Sequence, residues 1–464
     1  MKKKVLSVLL VGVLAVGALA GCGSKKSSSS SGSKDKGVDT SKEGEHELSV
    51  YAWDKNFNIP ALKAAEKAYQ TKDPDFKLNI IEQGQSSDVE NAITKAGTAN
   101  DFSKLPDIVL FQDHYIHKYV SDYPDAFQTV DDSTADWANL SAEKISYSTI
   151  DGKHYGFPVD NGAVITAYRT DLLEKAGYTV DQMKGISWDE FIEIGKKVKE
   201  ATKDDTHPDG YYLLSMDGSG NDLVYMMLQA EGSSQFDEKG NPVLTSNEKV
   251  YQICDLIVKM QQAGVLDLAQ DWNEYTNKTI VGDQVAGVIN GNWIIPTMKQ
   301  VNGSGEGGID NTGKWALTTM PTLEGNGKEG YASNGGSSLY LTEACKKADL
   351  AKDFLSYTFG GGEGAKSTYD EALKNGGVIG TWANATSSEV YSAPDAFFGG
   401  APIYSTIVEM GTKVPTVNQS DYHYATREQV GNAIQAAING DDLKSALKDA
   451  EDQVKTQIEN GSNK

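Results

Sequence analysis

Glu47-Leu48-Ser49-Val50-Tyr51-Ala52-Trp53 is the stretch on which the fold turns. Leu48, Val50 and Ala52 alternate with Ser49, Tyr51 and Trp53, the period-two pattern of a strand. Just beyond it, Pro60 opens a helix in which Leu62, Ala65, Ala68 and Tyr69 recur near helical spacing, and Asp73-Pro74 stops it. Residues 76–81 predict a second strand, 88–100 a second helix and 105–111 a third strand. This β-α-β-α-β order implies an α/β protein built on a mixed, mostly parallel sheet flanked by helices. Ligands of such sheets bind beyond the carboxyl ends of the strands. Those ends carry Trp53-Asp54-Lys55, Gln83-Gly84-Gln85 and Gln112-Asp113-His114.

The pattern continues along the chain. An apolar strand is expected at 163–168 and a short helix at 171–177, closed by Gly177. Ser187-Trp188-Asp189-Glu190 is a capping box opening a helix over 191–201. Further helices are expected at 222–231, 247–263, 291–302, 347–359, 427–439 and 441–460. No internal repeat is present. A chain of 464 residues exceeds the ~250–300 that one core usually serves, so two domains are expected. With 22 Tyr, 12 Phe and 7 Trp, the chain as a whole is not disordered. The formal charge of −22 repels phosphate backbones, which argues against nucleic acid as a partner. Mean hydropathy of −0.44 excludes a polytopic membrane protein. Three cysteines make no disulfide framework. Cys254, in a helix beside Ile253, Leu256 and Ile257, reads as a buried thiol, and Cys345 opens another helix.

The amino terminus reads as an address and a tether. Lys2-Lys3-Lys4 precedes an apolar run over 5–20, short for a spanning helix and suited to a secretory signal. It ends in Leu19-Ala20-Gly21-Cys22, which resembles a bacterial lipobox. That resemblance implies removal of residues 1–21 and a lipid on Cys22; the alternative is an ordinary signal with an incidental cysteine. Residues 22–47 hold eight serines and almost no apolar side chain, a flexible spacer.

A set of segments then carries a family resemblance. They are Leu105-Pro106-Asp107-Ile108, Gly156-Phe157-Pro158, Tyr168-Arg169-Thr170-Asp171-Leu172-Leu173 and Gly287-Val288-Ile289-Asn290-Gly291-Asn292-Trp293. Met320-Pro321-Thr322, Gly335-Gly336-Ser337-Ser338 and Ala351-Lys352-Asp353-Phe354-Leu355 complete the set. In order and spacing, over nearly all of 48–464, they resemble bacterial extracellular solute-binding proteins of the maltose-binding-protein-like, carbohydrate-uptake type. The closing stretch, from Phe398-Gly399-Gly400 through Val414-Pro415-Thr416-Val417-Asn418 to Tyr422-His423-Tyr424, looks more like the lactose- and arabino-oligosaccharide-binding branches. The resemblance implies a two-lobed periplasmic-binding-protein type II architecture, with lobes discontinuous in sequence. The first lobe would take 48–159 and 320–365, the second 160–319 and 366–464. It further implies capture of an oligosaccharide between the lobes and delivery to the transmembrane subunits of an ABC importer with a separate ATPase. No catalytic residue, cofactor or metal is implied, and the protein is expected to be a monomer, anchored by its lipid on the extracellular face of the membrane.

The chemistry of a sugar selects the candidate residues. A pyranose offers an apolar face to an aromatic ring and a rim of hydroxyls to hydrogen-bonding side chains. Trp53, Trp293 and Trp382 stand among polar or small residues at expected strand, helix and loop ends, each either a cleft wall or partly buried packing. Asp54, Asp113, Asp160 and Asp217 lie at or just past expected strand ends, where a carboxylate accepts hydroxyl protons or caps a turn. Asp160, followed by Asn161, sits at the implied first crossing between lobes. Gly335-Gly336-Ser337, after Asn334, reads as backbone that a ligand can approach closely, or as a plain turn. Tyr422 is either a cleft aromatic or core. Trp188 and Trp315 are assigned to packing; Trp137 and Trp272 are left unassigned.

Other signals carry less. His114 and His117 are spaced for one helical face but lack metal-ligating partners, and are expected to face solvent. Asp217-Gly218-Ser219-Gly220-Asn221-Asp222 lacks the acidic spacing of a calcium loop, and no glycine-rich stretch carries a phosphate-loop lysine. Two rival functions stay open. A secreted glycoside hydrolase also sets paired carboxylates and aromatics in a cleft. A lipoprotein binding a peptide, metal or polyamine would suit acidic cleft residues; an aromatic box with carboxylates and few amides would mark an amine site.

Overall fold

The computed structural model describes residues 37–55, 57–218, 221–271, 274–300 and 310–461. The signal sequence, Cys22, Trp272 and the first part of the serine-rich tether lie outside the described residues.

The stretch quoted at the outset forms strand β1 (Glu47–Ala52), followed by helix Asn58–Tyr69, strand β2 (Lys77–Glu82), helix Ser86–Ala99 and strand β3 (Ile108–Gln112). β2, β1 and β3 pair in parallel, as the alternation of strands and helices predicts. Two short strands, β4 (Thr149–Ile150) and β5 (Lys153–His154), make a hairpin. β6 (Gly156–Pro158) then approaches the sheet edge, and β7 (Val164–Arg169) runs on beyond it. β8 (Leu214–Asp217) pairs in parallel with β9 (Leu266–Ala269). The last strands are β10 (Gly287–Gly291), β11 (Trp315–Thr318) and β12 (Ser337–Leu341).

The first sheet has the order β2-β1-β3-β12-β6, with β12 antiparallel to both β3 and β6. The central place of β12 is unexpected from sequence. Ser337–Leu341 is buried throughout, so it shows no polar alternation, and its partners lie some two hundred residues upstream. The second sheet, β10-β7-β11, is antiparallel where a mostly parallel one was expected. The reason is topological. β7 leaves the first sheet, whereas β10 and β11 both run back towards it, so they must oppose β7. The expected helix over 291–302 also resolves differently: β10 runs through Gly291, a tight turn spans Asn292–Ile294, and the helix is Ile295–Gln300. Helices Asp113–Asp122, Ala142–Tyr147, Ala365–Gly376 and Ile403–Thr412 form where the sequence had marked none.

Apolar packing follows this plan. Phe76, Phe354 and Tyr69 meet ring to ring under the outer helix of the first sheet, with Tyr69 edge-on to both phenylalanines. Trp188 and Phe191, the first turn of the capped helix Trp188–Ala201, anchor a second core with Cys254 and helix His423–Ile438. Trp188 and Trp315 are core residues, as assigned, and Cys254 and Cys345 are buried free thiols. Helix Ala365–Gly376 lies along helix Asn58–Tyr69 of the first sheet, although residues beyond 365 were expected with the second lobe. The end of the tether is also firmer than a spacer. Val38 N–H donates to the Lys104 carbonyl (2.9 Å), and the Lys347 ammonium binds the Glu43 carboxylate (2.9 Å).

Leu339 is fully buried in β12, opposite Leu110 on one side and Phe157 on the other. Leu339→Ala is expected to lower unfolding free energy by about 2–5 kcal/mol in urea titrations, without changing the midpoint slope.

Candidate functional site

The chain passes between the two sheets at 159–163 and again at 332–336, and a cavity of about 560 Å³ opens at these passages. Strand ends supply its walls. After β1 the backbone turns through Asp54 in a left-handed conformation (φ 61°), and the Asp54 carbonyl accepts the amides of Phe57 and Ile59. This turn holds Trp53 and Asp54 on the cavity wall, with Phe57 and Asn58 beside them. β3 ends in Gln112, and His114 follows on the next helix. From the opposite side come Trp293, Pro296 and Thr297 after β10, Asp222 at the start of helix Asn221–Ala230, and Tyr424 and Arg427 in the first turns of helix His423–Ile438.

The floor is Asn334-Gly335-Gly336-Ser337. Both glycines have positive φ, 75° and 104°. A Cβ on Gly335 would lie 2.9 Å from Trp293 Nε1; one on Gly336 would meet the Lys144 ammonium and lie 2.5 Å from Asp113 Oδ2. These positions therefore need glycine for both conformation and space. The Trp293 indole N–H donates to the Asn334 carbonyl (2.9 Å), which fixes the ring plane over the floor. Asp160 Oδ1 accepts the Ser337 amide (2.9 Å), tying the first passage to the second.

Beneath the floor lies a cluster of charges. Lys144, fully buried, donates to the Gly335 carbonyl (2.7 Å) and stands 3.3 Å from Asp113 Oδ2 and 3.9 Å from Glu143 Oε2. Asp113 Oδ1 accepts the Ser338 hydroxyl (2.7 Å), and Glu143 Oε1 accepts the Ser333 hydroxyl (2.6 Å). Burial lifts the Asp113 carboxyl to about 7 despite the neighbouring ammonium, and lifts Asp160 to about 6. Burial opposes the Lys144 charge, but Glu143, Asp113 and Asp160 outweigh it and hold the ammonium above its ordinary pKa.

One rim of the cavity is closed by a seam between helix Asp113–Asp122 and the segment 421–427. His114 stacks on His423 (4.7 Å, 5°), Tyr115 stacks on Tyr424 (3.5 Å), and His117 pairs with Asp421. The Tyr147 and Tyr225 hydroxyls meet at 2.6 Å beside the histidines. Burial pushes His423 down to about 4, and burial together with the charges of Lys144 and Arg427 holds His114 well below its ordinary value. His114 thus departs from the solvent-facing position expected of it, because His423 arrives from the far end of the chain to cover it.

The structure gathers Trp53, Asp54, Asp160, Trp293, Gly335, Gly336 and Ser337 in one cavity. Other sequence-selected residues sit elsewhere. Asp113 lies below the floor with Lys144. Asn161 is buried, its side-chain oxygen accepting from Asn292 (2.6 Å) and from the Ala163 amide. Trp382 packs on Tyr369 and donates its indole N–H to Asp136 (3.3 Å), away from the cavity. Tyr422 lies under Lys118 outside it. Asp217 ends β8, and its side chain is outside the described residues. Sequence reading passed over Asn58, Gln112, Asp222, Tyr424 and Arg427 as binding candidates; the strand-end rule already pointed at Gln112, and the aromatic triplet 422–424 at Tyr424.

Two α/β layers with a cleft where the chain passes repeatedly between them define a bilobal binding protein. A family model for bacterial extracellular solute-binding proteins matches residues 64–397, and the chain belongs to that family. It is 32% identical over 415 residues to a lactose-binding protein of Rhizobium radiobacter, covering 89% of this chain and 93% of that one. It is 24% identical to an arabinooligosaccharide-binding protein of Bacillus subtilis (strain 168), covering 97% and 96%. Its fold matches the galacto-N-biose-/lacto-N-biose I-binding protein of an ABC transporter from Bifidobacterium longum, solved with lacto-N-biose, with a TM-score of 0.71 at 16% identity, over 90% of this chain and 98% of that one. Members of the family bind solutes rather than convert them, which removes the hydrolase alternative.

The raised carboxyls predict a pH dependence. Folded Asp113 keeps a proton that the unfolded chain releases above its ordinary value of 3.8, so its contribution to stability is complete below about pH 4 and lost as pH rises through about 7. Wild-type stability relative to Asp113→Asn should therefore fall between pH 4 and pH 7 in urea titrations; parallel curves would show that Asp113 titrates normally.

Proposed function

We propose that the protein is the oligosaccharide-binding subunit of an ABC importer, capturing its ligand between Trp53 and Trp293. The observation that carries this reading is the composition of the cavity. Two tryptophans share about 560 Å³ with the side-chain amides of Asn58, Gln112 and Asn334 and the carboxylates of Asp54, Asp160 and Asp222. Amides both donate and accept, which suits hydroxyls, and as many amides as carboxylates sets the cavity apart from an amine-binding box. The lactose- and arabinooligosaccharide-binding relatives support the same class of ligand.

Binding is coupled to lobe closure about the passages at 159–163 and 332–336. The lobes follow the two sheets, 48–159 with the segment from 320 forming the first. The packing of helix Ala365–Gly376 on helix Asn58–Tyr69 favours carrying that segment to 376. The closed form is what the importer's transmembrane subunits read, and hydrolysis of ATP belongs to a separate subunit. Among the described residues no helix is long and apolar enough to cross a membrane. We assign membrane attachment to a lipid on Cys22, with the tether leaving the folded part at Gly37.

A thermal-shift screen over lactose, galactobioses, arabino-, xylo- and malto-oligosaccharides, with spermidine as a cationic control, tests the ligand class. At least one neutral sugar should raise the melting temperature in proportion to the logarithm of its concentration. A shift with spermidine alone would overturn the sugar reading. For the sugar that binds, Trp53→Ala and Trp293→Ala should each weaken affinity about 10–30-fold in calorimetry, with melting of the free protein little changed. For the anchor, Cys22→Ser should abolish incorporation of labelled fatty acid and move the protein from the membrane fraction to the medium.

A further inference from the structure

We infer that the cleft selects uncharged over acidic sugars, and that Asp222 sets this selectivity by engaging the cation on the cavity wall. The inference rests on the sugar-binding reading above and adds the charge class of the ligand.

Four charged side chains line the cavity: Asp54, Asp160, Asp222 and Arg427. The single cation among the described lining residues is already engaged. Arg427 pairs with Asp222, and its guanidinium lies 4.8 Å from the centre of the Tyr424 ring, which is itself stacked on Tyr115. Asp222 is secured in turn, since its Oδ2 accepts from Asn334 Nδ2 (3.2 Å) and Asn334 Nδ2 also reaches Asn290 Oδ1 (2.8 Å). The pair is thus fastened to the floor loop on one side and to an aromatic stack on the other. Lys144 is fully buried beneath Gly335 and held by the Gly335 carbonyl, Asp113 and Glu143. His114 stays neutral, because burial and the nearby Lys144 and Arg427 disfavour its charged form.

A ligand carboxylate would therefore share the cavity with Asp54 and Asp160, and the cation among the described lining residues is already paired. Binding it would require either like-charge contact or loss of the Asp222–Arg427 pair. Hydroxyls face no such obstacle, because carboxylates accept their protons. Without the Asp222 carboxylate, Arg427 would present a planar donor fork of the kind that binds carboxylates in two parallel hydrogen bonds.

The test compares lactose with its uronic counterpart, which carries a carboxylate at C6 of the galactose ring, by calorimetry on the full-length soluble protein lacking its signal sequence. If another neutral oligosaccharide leads the thermal screen, that sugar and its uronic counterpart take their place. Wild type should bind the neutral sugar at least about 30-fold more tightly, the order expected of like charges ~7 Å apart at an effective dielectric constant of ~20. Asp222→Asn should shrink that ratio at least about tenfold, with the affinity for each sugar measured separately. A second arm needs no variant: raising salt from about 20 to about 500 mM should narrow the wild-type ratio, since screening weakens the repulsion. Equal wild-type affinity for the two sugars overturns the inference and leaves the sugar reading standing. An unchanged ratio in a folded Asp222→Asn protein overturns the role of Asp222. Absence of binding by every neutral sugar overturns both readings.

Discussion

An ammonium with no access to water must find its partners inside the protein, and Lys144 imposes that requirement at the centre of this fold. Its nitrogen is held by the Gly335 carbonyl and flanked by Asp113 and Glu143. Each partner belongs to a different part of the chain. Asp113 opens the helix that follows β3, Glu143 is fixed by Ser333, and Gly335 precedes β12. One buried charge therefore joins the outgoing and returning passages between the sheets. Removing one member of such a cluster commonly costs ~3–5 kcal/mol, because the others stay buried without compensation. Burial raises both Asp113 and Asp160, and for Asp113 the neighbouring carboxylates of Asp160 and Glu143 add to it.

The cavity is shaped by that constraint. Once Gly335 is fixed, Gly336 must pass between Lys144 and Asp113 with no side chain, and Asn334 is left to receive the Trp293 indole and to donate to Asp222. The aromatic wall and the ion pair on the wall are thus registered to the floor by hydrogen bonds. The histidine and tyrosine seam closes one rim without salt bridges at its core. Its rings stack neutral, and the outer pair, His117 and Asp421, supplies the charge. A site assembled from strand ends, two glycines and a fixed indole can be preorganised, and Trp53 and Trp293 pack against one core that runs through both sheets.

Much of the first sheet was legible because β1, β2 and β3 are short, apolar-rich runs separated by segments of helical spacing. β1, β2 and β3 emerged within a few residues of their observed bounds, and the capping box at Ser187 marked its helix correctly. The strand-end rule located Trp53, Asp54 and Gln112. What could not be read was long-range. β12 has neither alternation nor a local partner, and the antiparallel course of β10 and β11 follows from where they return, not from their composition. No local signal marks Lys144, whose partners Asp113 and Gly335 arrive from distant segments, and His114 reads as exposed until His423 covers it. Trp382 shows the converse error: polar and small neighbours mimic a cleft, yet Asp136 and Tyr369 satisfy the ring elsewhere.

The central claim is that a sugar occupies the space between Trp53 and Trp293 above Gly335 and Gly336. A crystal structure with the oligosaccharide that most raises the melting temperature tests it directly. The account predicts pyranose rings against both indoles, hydroxyls within hydrogen-bond distance of Asp54 or Asp160, and the Asp222–Arg427 pair intact. Density for the sugar at another surface, or in this cavity but away from both tryptophans, would contradict it.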